Sequence, residues 1–441
     1  MTDDRPLEVC FVDIGQGDGS LIVVPGPTPE EDRFLLVDAG EGDNMYRFLR
    51  WRFNLQGEHD RTIAFAAVVI THPDSDHYNG FGRIFAERRF SFGAVYHNGI
   101  VERAGKDSLG PVAKGENGLS YLTEVVTDLP ALRPILENPA NNRKLYPGVL
   151  RRAADAGAGE IRMLCAEDAH LPGFGIGDRV QIEVLGPVPE TGADGRRQLR
   201  LFAAKSEPGP TKNGHSIILK LHCGDVSILL GGDLNIPAEE YLLHHYTGRD
   251  PSTAEAAERE ALVLDARQVF EADFAKACHH GSADFSSLFL RAVNAMATVI
   301  SSGDSEPHCH PRPDALGAFG KHGRGDRPLI FSTELARSAK EQIKEPKVLR
   351  ALIEELFSLR EQTTDAQARA RIQRKIDAAL GDLDRSIAVF GMINLRTDGS
   401  RAVIAQKLEE RRSGTGEEWD IHRFEQDSPG SPLRYRPKHS A

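Results

Sequence analysis

The sequence predicts an α+β fold. Short apolar β-type runs crowd the first third, and strands alternate with helical segments through the middle. Two amphipathic helices then stand between strands near the C-terminus. The runs at 7–12 and 20–24 flank the tight turn Gly15-Gln16-Gly17-Asp18, and a Pro/Gly/acidic loop leads to Phe34-Leu-Leu-Val-Asp38-Ala-Gly40. This is a hairpin plus a third strand, with glycine supplying the turn conformations. Residues 44–56 read as helix and 65–71 as a buried strand. Residues 100–175 read as loops and short helices. Strand signals return at 180–185, 216–221 and 226–230, helices at 237–247 and 252–272, and strands again at 274–278 and 297–302.

Beyond residue 328 a strand at 328–332 is expected, then a hairpin from 387–395 and 402–406 that turns at Asp398-Gly399. Between them, Val348, Leu352, Leu356 and Leu359 share one helical face, and Ile372, Ile376, Leu380 and Leu383 share another. This predicts a helical hairpin inserted at about 339–385, packed on its own domain or meeting a second copy or a partner protein. One domain is expected over 1–411, with 412–441, rich in Gly, Ser, Pro and charge, as a flexible tail.

Apolar runs reach about seven residues, far short of the roughly 20 that span a bilayer. No membrane partner is expected, and the first residues lack the pattern of a secretory signal, so the cytoplasm is the expected compartment. Five scattered cysteines without a C-x-x-C pair fit a reducing environment. Cys278 and Cys309, although beside histidines, read as small buried side chains. A net charge of −11 repels nucleic acid overall, yet a local basic groove can dominate binding. Arg312, Lys321, His322, Arg324 and Arg327 are either such a phosphate-binding stretch or an ordinary solvated loop.

The chemistry concentrates in His72-Pro-Asp74-Ser-Asp76-His77, directly after the apolar strand at 65–71. Imidazoles and carboxylates converging on one strand end are what divalent Zn²⁺, Mn²⁺ or Fe²⁺ accept. More candidates stand at other strand ends: Asp38, Asp233, the pair His279-His280, and His308 with His310. Neither Ser216 nor Ser282 has a base in motif context, so a serine nucleophile is not expected.

The ordered set Phe11-Val-Asp-Ile-Gly-Gln-Gly-Asp18, His72-Pro-Asp-Ser-Asp-His77, Asn213-Gly-His-Ser216, Leu230-Gly-Gly-Asp233, His279-His-Gly-Ser282 and Ser302-Gly-Asp304 with His310-Pro311 resembles the metallo-β-lactamase superfamily. Within it, the hydrolase domain of bacterial DNA-uptake competence channel proteins is similar, and so are phosphorylcholine esterases. The resemblance spans about 10–320; it does not extend to the channels' membrane helices, so DNA uptake is not carried over.

It implies a four-layer αββα sandwich holding two divalent ions, Zn²⁺ or Mn²⁺. His72 and Asp74 would hold one ion, Asp76 and His77 the other, and Asp233 would bridge them. One of His279 and His280, with His280 preferred, would complete the second position. The ligand before Asp233 stays open between His215 and Asn213. Asp38 would orient the ligand loop from behind, and Asp18 and Gln16 read as turn-formers facing the same edge. His310, with His308 as the weaker neighbour, would contact substrate or protonate the leaving group; Asp76 and His310 are the catalytic candidates.

The implied activity is hydrolysis of a phosphodiester, in a nucleic acid or a smaller ester, by a metal-bound hydroxide. Asp74, where many relatives have histidine, favours phosphodiesters over lactams. The alternatives are an amide, lactone or thioester hydrolase on the same site, or a non-catalytic binding or regulatory module.

Overall fold

The computed structural model describes residues 5–55, 61–303, 308–333, 346–388, 392–408 and 414–437. Two facing sheets organise them. In the first, the order across the sheet among the described residues is Leu433–Arg436, Trp419–Gln426, Arg401–Lys407, Ile393–Thr397, Leu7–Phe11, Gly19–Val24, Arg33–Ala39, Ile63–Ile70, Phe90–His97 and Glu160–Met163. In the second it is Leu329–Ser332, Ala297–Ile300, Phe274–Lys276, Val226–Leu230, Ile218–Cys223 and Val180–Gly186.

Alternation along the strands decides the layers. Val9, Ile22 and Val69 turn inward to meet Ile182, Leu219, Ile228 and Val299 of the second sheet. Their neighbours Cys10, Leu21 and Val68 turn outward, beneath Phe48, Leu49, Phe81 and Leu150 of the covering helices. On the far side, Leu229 and Ala275 pack under Leu242, Leu262, Phe270 and Phe289. Each large apolar side chain so buried stabilises the fold by about 1.5–3 kcal/mol. The result is helix, sheet, sheet, helix: the expected αββα order.

Each sheet contains a parallel set. Arg33–Ala39, Ile63–Ile70, Phe90–His97 and Glu160–Met163 run together in the first. Val226–Leu230, Phe274–Lys276, Ala297–Ile300 and Leu329–Ser332 do so in the second. The two sheets are tied at one edge, where the Ile217 amide donates to the Thr71 carbonyl at 3.0 Å. Loops after parallel strands gather there, the usual position of a site in such sheets.

Three expectations need correction. Residues 100–175 are more ordered than loops with short helices: Val112–Lys114 and Ser120–Leu122 form strands, and Glu160–Met163 joins the first sheet. The C-terminal segment is not a free tail, because Trp419–Gln426 and Leu433–Arg436 extend the first sheet and bury Phe424 and Leu433. These two outermost strands are mostly half-buried or exposed along their length, so their composition resembles that of a loop. The helix expected to stop near 385 runs through Ala366–Ala388, and the next strand begins at Ile393.

The helical hairpin packs on its own domain. Leu349, Ile353 and Ala379 close its seam, and Arg350 pairs with Asp43 at the start of the helix Asn44–Arg52. Leu359 and Leu380 face outward. The side chains of Val348 and Leu383, and residues 339–345, lie outside the described set, as does Asp304. Among the described residues no helix is long and apolar enough to cross a membrane.

Candidate metal centre

The motif at 72–77 is built by a strand end followed by one helical turn. The strand stops at Ile70, and the short helix Ser75–Tyr78 begins directly after Asp74. Asp38 anchors the crossing point: its Oδ1 accepts from the Thr71 amide at 2.8 Å and its Oδ2 accepts from the Thr71 hydroxyl at 2.7 Å. Asp38 itself has φ 56°, a conformation unusual for a residue with a side chain and common where a site demands it.

Three loops bring partners to that turn. Gly232 (φ 57°) lets the chain bend beside Ser216, where a Cβ would stand 2.5 Å from the Ser216 Cβ. The Asp233 amide then donates to Ser216 Oγ at 3.0 Å. His279 and His280 follow the strand Phe274–Lys276, both with positive φ, 47° and 53°. Gly17 admits the turn carrying Asp18, since any Cβ there would lie 1.8 Å from the Asp76 carbonyl oxygen. The Asp18 amide donates to that oxygen at 3.2 Å.

The side chains converge closely. His77 Nε2 lies 3.2 Å from Asp233 Oδ2 and 3.3 Å from His280 Nε2. His280 Nε2 lies 3.1 Å from Asp233 Oδ2 and 3.4 Å from Asp76 Oδ2. Donor atoms of Asp18, His77, Asp233 and His280 all fall within 4.8 Å of one another, and all four residues are buried. The far ring nitrogens are engaged from behind: His77 Nδ1 at 2.8 Å from Asp38 Oδ2, and His280 Nδ1 at 3.0 Å from the Ser301 carbonyl. Both contacts favour the tautomer that donates from Nδ1, leaving each Nε2 lone pair aimed at the cluster.

This arrangement fits a divalent ion. Two buried imidazole nitrogens face each other beside carboxylates, and Asp233 Oδ1 is buried without a hydrogen bond. Ligand bonds of roughly 2.0–2.2 Å around a tetrahedral ion separate the ligands by roughly 3.3–3.5 Å, close to the spacings found. Burial alone would lower His77 and His280, but Asp233 with Asp38 beside His77, and Asp233 with Asp18 beside His280, hold both imidazoles well above their usual range. Burial raises Asp233, yet His280 and His77 draw it well below the carboxylate range. The ionised Asp233 carboxylate thus favours positive charge on or beside the two imidazoles.

The other half differs. His72 is fully buried, its Nδ1 3.1 Å from Thr71 Oγ1 and 3.3 Å from Ser216 Oγ. Its Nε2 makes no hydrogen bond and stands 3.7 Å from Asp74 Oδ2 and 4.0 Å from Asp233 Oδ2. Burial, then His77, pushes its pKa well down. The Lys212 ammonium pairs with Asp74 Oδ1 and reaches Glu102 Oε1 at 3.3 Å. In the amide orientation that gives both its atoms partners, Asn213 donates to Asp74 Oδ2 at 2.8 Å and to the Gly209 carbonyl at 3.1 Å.

His215 is not brought to the cluster. Its Nε2 bonds the Arg200 carbonyl at 2.7 Å and its ring lies 4.7 Å from that of Phe202. The helix Pro208–Gly214 ends just before it and turns the ring away. Burial lowers its pKa to about 4. Of the two residues left open in the sequence, Asn213 is therefore the one beside the centre. His279 stands at the mouth, its ring 6.2 Å from that of His280 and 5.5 Å from that of His310. His310 is 6.3 Å from His280, and His308 stacks on it at 5.7 Å. Cys309 is exposed and Cys278 half-buried, not the buried pair expected. From the basic stretch, Arg324 is spent on Asp273 and Glu271.

Sequence reasoning missed two lysines. Lys276 is buried, paired with Asp18 and 4.0 Å from Asp233 Oδ1. Lys212 is the other. The signal for Lys276 was available, since it is the one charge inside the short apolar strand Phe274-Ala-Lys-Ala-Cys278. Asp18 is drawn into the cluster itself, more than a turn-former.

The described fold and site define a four-layer αββα protein with a buried His/Asp centre. No family model and no curated protein sequence matches the chain. Among solved structures it is similar to Zn²⁺-bound PqqB from Methylobacterium extorquens, at 10% identity over 74% of this chain and 97% of that one, with a TM-score of 0.34. It is also similar to CmlA, a diiron β-hydroxylase from Streptomyces venezuelae, at 13% identity over 74% of this chain and 52% of that one, with a TM-score of 0.32. A point mutant of CmlA gives 13% identity, 75% and 52% coverage and a TM-score of 0.33. The chain thus spans about half the length of CmlA. Likenesses at this level say nothing of activity, which rests on the chain's own residues.

Proposed function

We propose that this chain is a metal-dependent hydrolase of the metallo-β-lactamase type, acting on phosphodiesters. The observation that carries the proposal is the convergence of His77 Nε2, His280 Nε2 and Asp233 Oδ2 at 3.1–3.3 Å from one another, with Asp76 Oδ2 3.4 Å from His280 Nε2. A divalent ion there would lower the pKa of bound water toward neutrality and polarise a phosphoryl oxygen.

The protein's part is orientation. Asp38 and the Ser301 carbonyl hold the two imidazoles. Asp76 and Asp74 are the open side, with side chains 22% and 26% exposed against 6% or less for Asp18, Asp233 and the three histidines. Substrate enters over those two carboxylates. The attacking water gives up a proton to solvent as its oxygen bonds to phosphorus, the ester P–O bond breaks, and His310 would return a proton to the leaving oxygen. The preference for a phosphodiester over an amide or lactone follows from the motif resemblance, with Asp74 where many relatives have histidine.

The test is hydrolysis of bis-p-nitrophenyl phosphate with Mn²⁺ or Zn²⁺, alongside lactone and thioester substrates. Wild type is expected to cleave the phosphodiester and Asp233→Ala to lose that activity. Cleavage of acyl substrates alone, or equal rates in the variant, would overturn the proposal.

A further inference from the structure

The two halves of the centre do not fit two ions equally, and the mismatch has a chemical consequence. An ion at the His72 side needs Asp74 and a further ligand. Both Asp74 oxygens are already engaged, Oδ1 by the Lys212 ammonium and Oδ2 by the Asn213 amide at 2.8 Å. The histidine that could have helped, His215, bonds the Arg200 carbonyl instead. What remains is His72 Nε2 and the Asp233 carboxylate, whose Oδ2 is 4.0 Å from His72 Nε2 but within 3.2 Å of both other imidazoles. A cation held there would also be repelled by the Lys212 ammonium that already neutralises Asp74.

Lys212 meanwhile occupies a built seat. Its side chain is only 12% exposed, on the short helix Pro208–Gly214, and it faces Asp74, Glu102 and the Pro73 carbonyl. A lysine ammonium is a compact positive charge and a common phosphate ligand. Resting on the hydrolase reading, we infer that the centre holds a single divalent ion, between His77, His280, Asp233 and Asp76. Lys212, seated between Asp74 and Glu102, occupies the place of the second cation.

Metal content tests this on the full chain. Protein equilibrated with excess Mn²⁺ or Zn²⁺ and freed of loose metal is expected to retain one ion per chain by elemental analysis. Two ions with phosphodiesterase activity intact would overturn the inference and leave the hydrolase reading standing; no retained ion would overturn both. Lys212→Met, which frees the Asp74 carboxylate, is expected to retain a second ion, while Lys212→Arg, which keeps the charge, is expected to retain one. A single ion in Lys212→Met, as in wild type, would show that the lysine does not hold the second cation's place.

Discussion

The halves of this centre share Asp233 but treat charge differently. Around His77 and His280 the Asp233 carboxylate lies within 3.2 Å of both Nε2 atoms, and with Asp38 beside His77 and Asp18 beside His280 it holds both rings well above the usual histidine range. Around His72 burial outweighs attraction and the ring stays neutral, while the Asp74 charge is already met by Lys212. In one half the shared carboxylate faces two imidazoles, and in the other the Asp74 carboxylate is seated on a lysine. A ligand motif is thus read only when the partners of each carboxylate are known, since an aspartate seated on a lysine is no longer an open ligand.

The strongest way to break this contrast is to remove the shared carboxylate. Asp233→Ala is expected to abolish retained metal and to cut phosphodiester hydrolysis by at least about 10³-fold, as read by elemental analysis and steady-state rates. Next comes the buried pair behind the cluster. Lys276→Met strands Asp18 and is expected to cost about 3–5 kcal/mol in denaturant unfolding of the metal-free protein. Adding Asp18→Asn should recover much of it, because the two groups act as a unit.

Asp38→Asn disturbs the orientation of His77 and the Thr71 contacts that hold the ligand loop, and is expected to weaken metal affinity by about 10–100-fold by titration calorimetry. The pH dependence sharpens the same half. Only neutral imidazoles bind a metal, and Asp233 with its neighbours holds His77 and His280 protonated above the usual range. Affinity should therefore fall as pH falls and keep rising above the ordinary imidazole pKa of about 6.5; a flat profile from about pH 6 to 9 would contradict it. The smallest effect belongs to His215. Its replacement by Gln is expected to leave metal content unchanged and kcat/KM within about threefold, since its ring serves Arg200 and Phe202.

Much of the centre was legible in the chain. Strand-end placement singled out His72, Asp74, Asp76, His77, Asp233 and His280, because a rigid strand followed by a tight turn leaves few directions for the next side chains. The αββα layering came from the motif resemblance, and the alternation of inward Val9 and Ile22 with outward Cys10 and Leu21 realises it. Partners from elsewhere in the sequence were not legible. Asp18 joins the cluster only because Gly17 lets its turn lie against Asp76. His215 leaves it because the helix before it ends one residue too soon. The strands Trp419–Gln426 and Leu433–Arg436 were hidden because, this far out on the sheet, they bury little beyond Phe424 and Leu433.

The most direct test of the centre is anomalous diffraction at the zinc edge from crystals equilibrated with Zn²⁺. A peak is expected within about 2.0–2.1 Å of both His77 Nε2 and His280 Nε2, with carboxylate oxygens of Asp233 and Asp76 completing it. No peak between those two nitrogens, or a peak only elsewhere on the protein, would contradict a metal centre built on His77 and His280.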